Sequence, residues 1–378
     1  MKKILAVVLC GLMVFAALAG CGNKTAGNTG YTADNTEFII GGTGPLTGDT
    51  SSYGISVLNG AQLAIKEINA NGGLNGINFK LEFKDDKSTA ADAATGYDTL
   101  FEGGMQASIG AVTSGSCDSF NSKAAEDNLF SITPSASAAN VIENRDNAFR
   151  ICFGDPDQGV LAAKELTSKF KNIGVIYDTS DPYSSGIYKA FEEEMKTLNV
   201  EFKTQTFDAE NKKDFSTQVE ALKDCDVIFL PIYYTEAGFI AKNATAKECN
   251  AVLFGCDGFD GIADQIDASV KNDIKYITPF DVKSESEATK KFVEAYKAEY
   301  NADPDQFAAD GYDAVMTIFE GMKKANVSDV KISASDLCDI LKSTVTASDF
   351  KYVGATGEMT WDASGACEKV PQIVELKK

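Results

Sequence analysis

From residue 37 onward, short apolar strand runs alternate with helical segments, and this alternation limits the fold more than any other feature of the chain. Phe38-Ile39-Ile40 reads as a strand that ends in Gly41-Gly42. The next helix carries Leu58, Ala61, Ile65 and Ile68 at helical spacing and stops at Asn71-Gly72-Gly73. Ile77, Phe79, Leu81 and Phe83 alternate with Asn78, Lys80 and Glu82, the period of a half-buried strand. A helix over 89–102, a strand over 107–112, a helix over 116–127 and a strand over 129–133 follow. The second half repeats the rhythm, with strands at 173–177, 202–207, 227–230, 252–254 and 274–277. From 286 to 345 the pattern is mostly helical, with Phe292, Tyr296 and Tyr300, then Ala308, Tyr312, Val315 and Phe319. Repeated strand–helix units make parallel sheets covered on both faces, so the expected fold class is α/β. With 378 residues, the chain can build two such units, each with a full core.

Composition removes several function classes. The net charge is −20 and the only arginines are Arg145 and Arg150, so no basic stripe exists and nucleic acid is not expected as a partner. The chain has no histidine, which takes away the commonest general base and the commonest metal ligand. No GxSxG elbow, CxxC pair or other metal-spaced cluster is present, and Asp155-Pro156-Asp157 lacks the rest of a calcium loop. No enzyme activity, cofactor or metal is expected.

Residues 1–21 read MKKILAVVLCGLMVFAALAGC. Lys2 and Lys3 precede a sixteen-residue apolar run from Ile4 to Ala19, short for a transmembrane helix and followed by small residues. This predicts an export signal over 1–20. Leu18-Ala19-Gly20-Cys21 resembles the bacterial lipobox, which implies that Cys21 is lipidated and becomes the mature N-terminus. Residues 21–36, rich in Gly, Asn, Thr and Ala, read as a flexible tether. Beyond Cys10 and Cys21 seven cysteines remain, an odd number that leaves at least one thiol free outside the cell. Cys225 and Cys249 each precede an apolar strand run and could bond if those strands are adjacent and parallel.

Doubly wound sheets bind ligands beyond the carboxyl ends of their strands. After the first strand comes Gly42-Thr43-Gly44-Pro45-Leu46-Thr47-Gly48-Asp49, which fails both phosphate-loop patterns: Asp49 replaces the P-loop lysine, and Thr47 a dinucleotide-loop glycine. Tyr53 follows at the mouth. Thr113-Ser114-Gly115-Ser116 opens a helix, where hydroxyls and free N–H groups suit a carboxylate or merely cap the helix. Pro134-Ser135-Ala136-Ser137 is a second small, hydroxylated loop. In the second half Tyr183, Tyr233-Tyr234 and Asp257 follow strands and would face the hydroxyl loops across a cleft.

Together these residues resemble the branched-chain amino acid (Leu/Ile/Val-type) binding proteins of ABC importers, which have a type I periplasmic binding protein fold. The likeness runs over about 37–375, through GPLTGDTSSYG at 44–54, GAVTSGS at 110–116, ITPSAS at 132–137, DPYSSG at 181–186, IYYTEAG at 232–238, GCDG at 255–258 and GATGEMTWDASG at 354–365. The resemblance implies that Ser114, Ser135 and Ser137 hold a ligand's α-carboxylate and part of its ammonium, within loops that include Ser116 and Ala136. Tyr233 and Asp257 would complete the ammonium site, while Tyr53, Tyr183 and Phe280 would line the side-chain pocket. Two positions depart from the family pattern. Asp257 stands where leucine-type binders carry a longer glutamate, and Thr113 where some members carry a disulfide cysteine.

The implied architecture is two doubly wound Rossmann-like lobes joined by a three-segment hinge, crossed near 152–156, 279–282 and 346–352. Lobe 1 is then 37–152 with 281–347, and lobe 2 is 153–280 with 348–378. The implied role is extracytoplasmic capture of a small amino acid and its delivery to the permease subunits of an ABC transporter. The protein is expected as a monomer, held at the membrane by its lipid. A binder of another small carboxylate and a ligand-sensing accessory protein are the rival readings. A receptor would need a membrane span after its binding part, and none is read past residue 20.

Overall fold

The computed structural model describes residues 35–369 and 371–376. The export signal, most of the tether and Cys21 lie outside the described residues. In chain order the first sheet and its helices are β1 (Phe38–Gly44), α1 (Ser51–Ala70), β2 (Phe79–Asp85), α2 (Ala90–Glu102), β3 (Ala107–Ala111), α3 (Ser114–Glu126), β4 (Ser131–Thr133) and β5 (Ala148–Arg150). The second unit is α4 (Asp155–Lys169), β6 (Ile173–Asp178), α5 (Pro182–Leu198), β7 (Lys203–Phe207), α6 (Ser216–Ala221), β8 (Val227–Leu230), α7 (Tyr234–Ala246), β9 (Val252–Gly255) and β10 (Ile274–Thr278). Then come α8 (Glu287–Tyr300), α9 (Gln306–Lys324), α10 (Ala334–Val345), β11 (Tyr352–Gly354), β12 (Gly357–Met359) and β13 (Gln372–Glu375).

Two sheets result, in the orders β2-β1-β3-β4-β5 and β13-β10-β9-β8-β6-β7. All pairings are parallel except β13 on β10. This is the two-lobe α/β arrangement expected from the alternation. Every residue of β8, Val-Ile-Phe-Leu, is buried, as a central parallel strand covered on both faces must be.

Helices from the late part of the chain cover the first sheet. α9 packs along α1 at close range because glycines remove side chains at the contact. A Cβ on Gly311 would lie 2.5 Å from the Val57 carbonyl oxygen, and one on Gly60 would run into the Ala308 backbone. β11 and β12 pair as an antiparallel hairpin against α8 and α9, and only β13 of the late strands joins the second sheet. Buried aromatic rings fill the cores: Phe130 stacks on Phe149 at 5.0 Å in the first, and Phe191 packs on Phe229 at 4.7 Å in the second. Truncating such a ring to alanine costs about 3–5 kcal/mol.

Several details differ from expectation. β5 is three residues long, too short to give a period, and β13 is antiparallel and far along the chain from its partner. β8 and β9 are adjacent and parallel, yet Cys225 and Cys249 are separate buried thiols. The register sets Val227 opposite Val252, so Cys225 falls level with Asn250 and one residue out of step with Cys249. Among the described residues no helix is long and apolar enough to cross a membrane, and no group of three or more Cys, Asp or Glu could hold a metal ion.

Candidate functional site

The carboxyl ends of the two sheets meet around a small, tightly closed cavity. One wall comes from the first sheet: Val112, Thr113 and Ser114 after β3, Ser135 after β4, and Tyr53 in the first turn of α1. The opposite wall comes from the second: Tyr183 in the first turn of α5, Tyr233 before α7, and Asp257 and Gly258 after β9. Phe307 enters from the start of α9.

The first wall presents hydroxyls and a helix end. Thr113 is at the N-cap position of α3, yet no side chain caps this helix, and Thr113 Oγ1 is buried without a hydrogen-bond partner. Ser114 Oγ accepts from the Ala138 N–H at 3.2 Å, which leaves its own proton free to donate. Ser135 Oγ donates to the Val112 carbonyl at 2.8 Å, which leaves its lone pairs free to accept. The uncapped N-terminus of α3 with these hydroxyls is suited to an anionic group.

The second wall carries the negative charge. Tyr183 Oη donates to Asp257 Oδ1 at 2.7 Å, and the Gly258 N–H reaches the same oxygen at 2.9 Å. The Asp257 backbone is fixed from both sides: its N–H donates to Gln158 Oε1 at 3.0 Å, and its carbonyl accepts from Gln306 Nε2 at 2.6 Å. Burial pushes the Asp257 carboxyl up to about 6, against the downward pull of the Tyr183 and Gln158 hydrogen bonds. Among the described residues no lysine or arginine forms an ion pair with it, and none is a leading influence on its titration. Burial also holds the phenols of Tyr53, Tyr183 and Tyr233 far above their ordinary range, so all three stay neutral.

Aromatic rings frame the rest. Tyr183 stacks on Tyr233 with centroids 4.9 Å apart and planes 7° from parallel. Tyr53 meets Tyr233 edge-on at 5.8 Å and leans on Phe307 at 4.2 Å. Tyr53 Oη also ties the walls together, donating to the Gly258 carbonyl and accepting from the Tyr234 N–H at 3.2 Å. Thr235 Oγ1 donates to the Asp49 carbonyl at 2.6 Å at the rim. The walls are therefore closed on each other.

Of the ten residues singled out from sequence, Tyr53, Ser114, Ser135, Tyr183, Tyr233 and Asp257 line this cavity. Ser116 and Ser137 are buried beside it, each with a hydroxyl that has no partner. Ala136 packs in a core cluster with Phe120 and Val141, and its N–H donates to Thr133 Oγ1. Phe280 lies elsewhere: it packs edge-on against Phe292 at 6.3 Å and lines a separate depression with Tyr276 and Pro304. Val112, Thr113, Gly258 and Phe307 join the lining without having been singled out as ligand residues.

A donor-rich wall facing an unpaired carboxylate, inside an aromatic frame, suits a small molecule with a negative end and a positive end. Residues 37–364 match the model of the periplasmic binding protein family. The chain belongs to the periplasmic binding protein family. This periplasmic binding protein is 29% identical over 332 residues to the Leu/Ile/Val-binding protein BraC3 of Rhizobium johnstonii, covering 86% of this chain and 89% of that one. It is similar in structure to the leucine binding protein LivK of Thermotoga maritima, with a TM-score of 0.80 at 25% identity over 89% of this chain and 94% of the other. It is also similar to the branched-chain amino acid transporter substrate binding protein LivJ of Streptococcus pneumoniae, solved with isoleucine. That match has a TM-score of 0.76 at 29% identity and covers 90% of this chain and all of the other. The two-lobed periplasmic binding protein fold thus places the cavity in the cleft between its lobes.

Proposed function

We propose that this protein is the substrate-binding component of an ABC importer. It captures a small amino acid with an aliphatic or otherwise hydrophobic side chain in the interlobe cleft and delivers it to a membrane permease. The observation that carries this reading is the buried, unpaired Asp257 carboxylate opposite the uncapped N-terminus of α3. A buried carboxylate needs a cationic partner, and a ligand ammonium supplies one. In this reading the Ser114 hydroxyl and the N–H groups at the start of α3 hold the α-carboxylate. Ser135 Oγ, Tyr233 and Asp257 hold the ammonium, and Tyr53, Tyr183 and Phe307 surround the side chain. The relatives' names and the isoleucine complex support it.

The lobes in this reading divide at 152–156, 279–282 and 346–352 and hinge open to admit ligand. Export by residues 1–20 and a lipid on Cys21 would keep the protein at the outer face of the membrane as a monomer. A lipidated, membrane-bound product that becomes an unlipidated precursor in Cys21→Ala tests the anchor. Soluble, acyl-free wild-type protein in the medium would contradict it. The site is read as binding and not as catalysis, since it holds no nucleophile paired with a base.

A second reading is a small carboxylic acid without an amino group. It draws on the titration of Asp257 at about 6, which lets a neutral Asp257 face an uncharged ligand tail. A thermal-shift screen of the soluble 22–378 fragment against amino acids and small carboxylates separates the two. A ligand at a hundred times its Kd adds about 2.7 kcal/mol. Stabilisation by aliphatic amino acids supports the first reading, and stabilisation by their deaminated forms alone supports the second.

A further inference from the structure

Asp155 opens α4 and is 1% exposed. Its N–H donates to the Ser137 carbonyl at 2.9 Å, but neither oxygen of its carboxyl group has a partner of hydrogen-bonding geometry, although the Ser137 hydroxyl lies nearby. Two buried hydroxyl oxygens are orphaned along with it, Ser137 Oγ and Tyr233 Oη, and Tyr233 lines the cavity. Asp155 Oδ2 faces Gly186 of α5, where a Cβ would come within 2.7 Å.

The charged groups that face Asp155 come from three elements. Arg150 at the end of β5 attracts it, while Asp257 after β9 and Asp181 at the N-cap of α5 repel it. Arg150 forms no ion pair with it; its guanidinium donates to the Ser137 carbonyl. The chain has no histidine to supply another cation near neutrality. Two buried carboxylates, Asp155 behind the cavity lining and Asp257 within it, therefore act on each other, and one ligand ammonium can neutralise only one. Asp257 lines the cavity and takes it. An ionised carboxylate left dry beside a second one costs far more than the same group protonated. A carboxylic acid also has one donor and one acceptor, which complements the orphaned hydroxyls.

We infer that Asp155 is a further member of the binding site that enters the closed cleft as the neutral acid, so that capture takes up one proton and the site accepts a ligand with a single positive charge. The inference rests on the amino-acid reading of the site. While the cleft is open, water reaches Asp155 and it is ionised. On closure a proton passes from solvent to one of its oxygens, and no other bond changes.

Calorimetric titration of the full chain with leucine, in two buffers of different ionisation enthalpy at about pH 8, counts the protons directly. Uptake of about one proton per leucine is expected, with Kd rising roughly tenfold per pH unit between about pH 7 and pH 8.5. Asp155→Asn should abolish the uptake and flatten the pH dependence over that range. Leucine binding by wild type with no buffer-dependent heat would overturn the inference and leave the amino-acid reading standing. Unchanged uptake in the variant would overturn the assignment to Asp155. Should the variant fail to fold, the wild-type heats alone still decide whether a proton enters. Absence of any leucine binding would remove the amino-acid reading and this inference with it.

Discussion

The Tyr183 hydroxyl donates to Asp257 Oδ1 across 2.7 Å, and its ring lies flat against Tyr233, so one side chain both steadies the cleft's negative charge and builds its aromatic wall. Tyr183→Phe separates the two functions. The ring remains, while the carboxylate loses a hydrogen bond worth about 1.5–3 kcal/mol to a charged group. Aliphatic amino acid affinity should fall by roughly ten- to a hundredfold in calorimetry, with the fold retained by circular dichroism. An unchanged Kd would mean that Asp257 does not meet the ammonium in its ionised form.

The pH dependence follows from the same carboxylate. Burial raises Asp257 from its ordinary range to about 6 in the ligand-free fold. A raised acid contributes stability that is complete below about pH 4 and lost as pH rises through about 6. Ligand binding has the opposite sign, because an ammonium needs the ionised form. In wild type the proton taken up at Asp155 offsets this slope, so affinity should level off below about 6, whereas in Asp155→Asn it should fall roughly tenfold per pH unit there. In Tyr183→Phe the midpoint should move upward, since a hydrogen bond to the ionised form is gone. Titrations between about pH 4.5 and 7 on both proteins measure the two midpoints.

A buried ion pair near the C-terminus gives a prediction about stability. Lys369 Nζ lies 3.3 Å from Asp310 Oδ1, and both side chains are 2% exposed. Asp313 stands beside them, accepting from the N–H groups of Ala355 and Thr356 and from Thr356 Oγ1. Lys369→Met leaves buried carboxylates without their cation and should cost about 3–5 kcal/mol in urea unfolding near pH 8. The loss should shrink near pH 5, because burial already lifts Asp310 to about 7 and an acid without its cation protonates more readily still. A pH-independent loss would point to packing of the lysine stem instead.

Much of this was legible in the sequence because parallel sheets place function at strand ends. The alternation set the two sheets, and the small loops after β3 and β4 led to Ser114 and Ser135. Phe280 was named through the family resemblance and not through that rule, and it lies after β10 beside a separate depression. Phe307 was missed because it enters from a helix start and not from a strand end. Its signal, had it been weighed, was Asp305 capping the helix one residue before Gln306-Phe307. Thr113 read equally as a helix cap, and only the geometry shows its hydroxyl uncommitted. Asp155 gave no signal, since its weight comes from burial without a partner, which no local pattern encodes.

The central claim is that Asp257 receives an ammonium. Calorimetry of wild type and Asp257→Asn with leucine and with 4-methylpentanoate, which lacks only the amino group, tests it most directly. The account predicts that the variant keeps its fold and loses about 3–5 kcal/mol of leucine binding, the cost of breaking a buried pair. That is on the order of a hundredfold to a few thousandfold in Kd, with a much smaller loss for 4-methylpentanoate. Equal losses for both ligands, or a wild type that prefers 4-methylpentanoate, would contradict it.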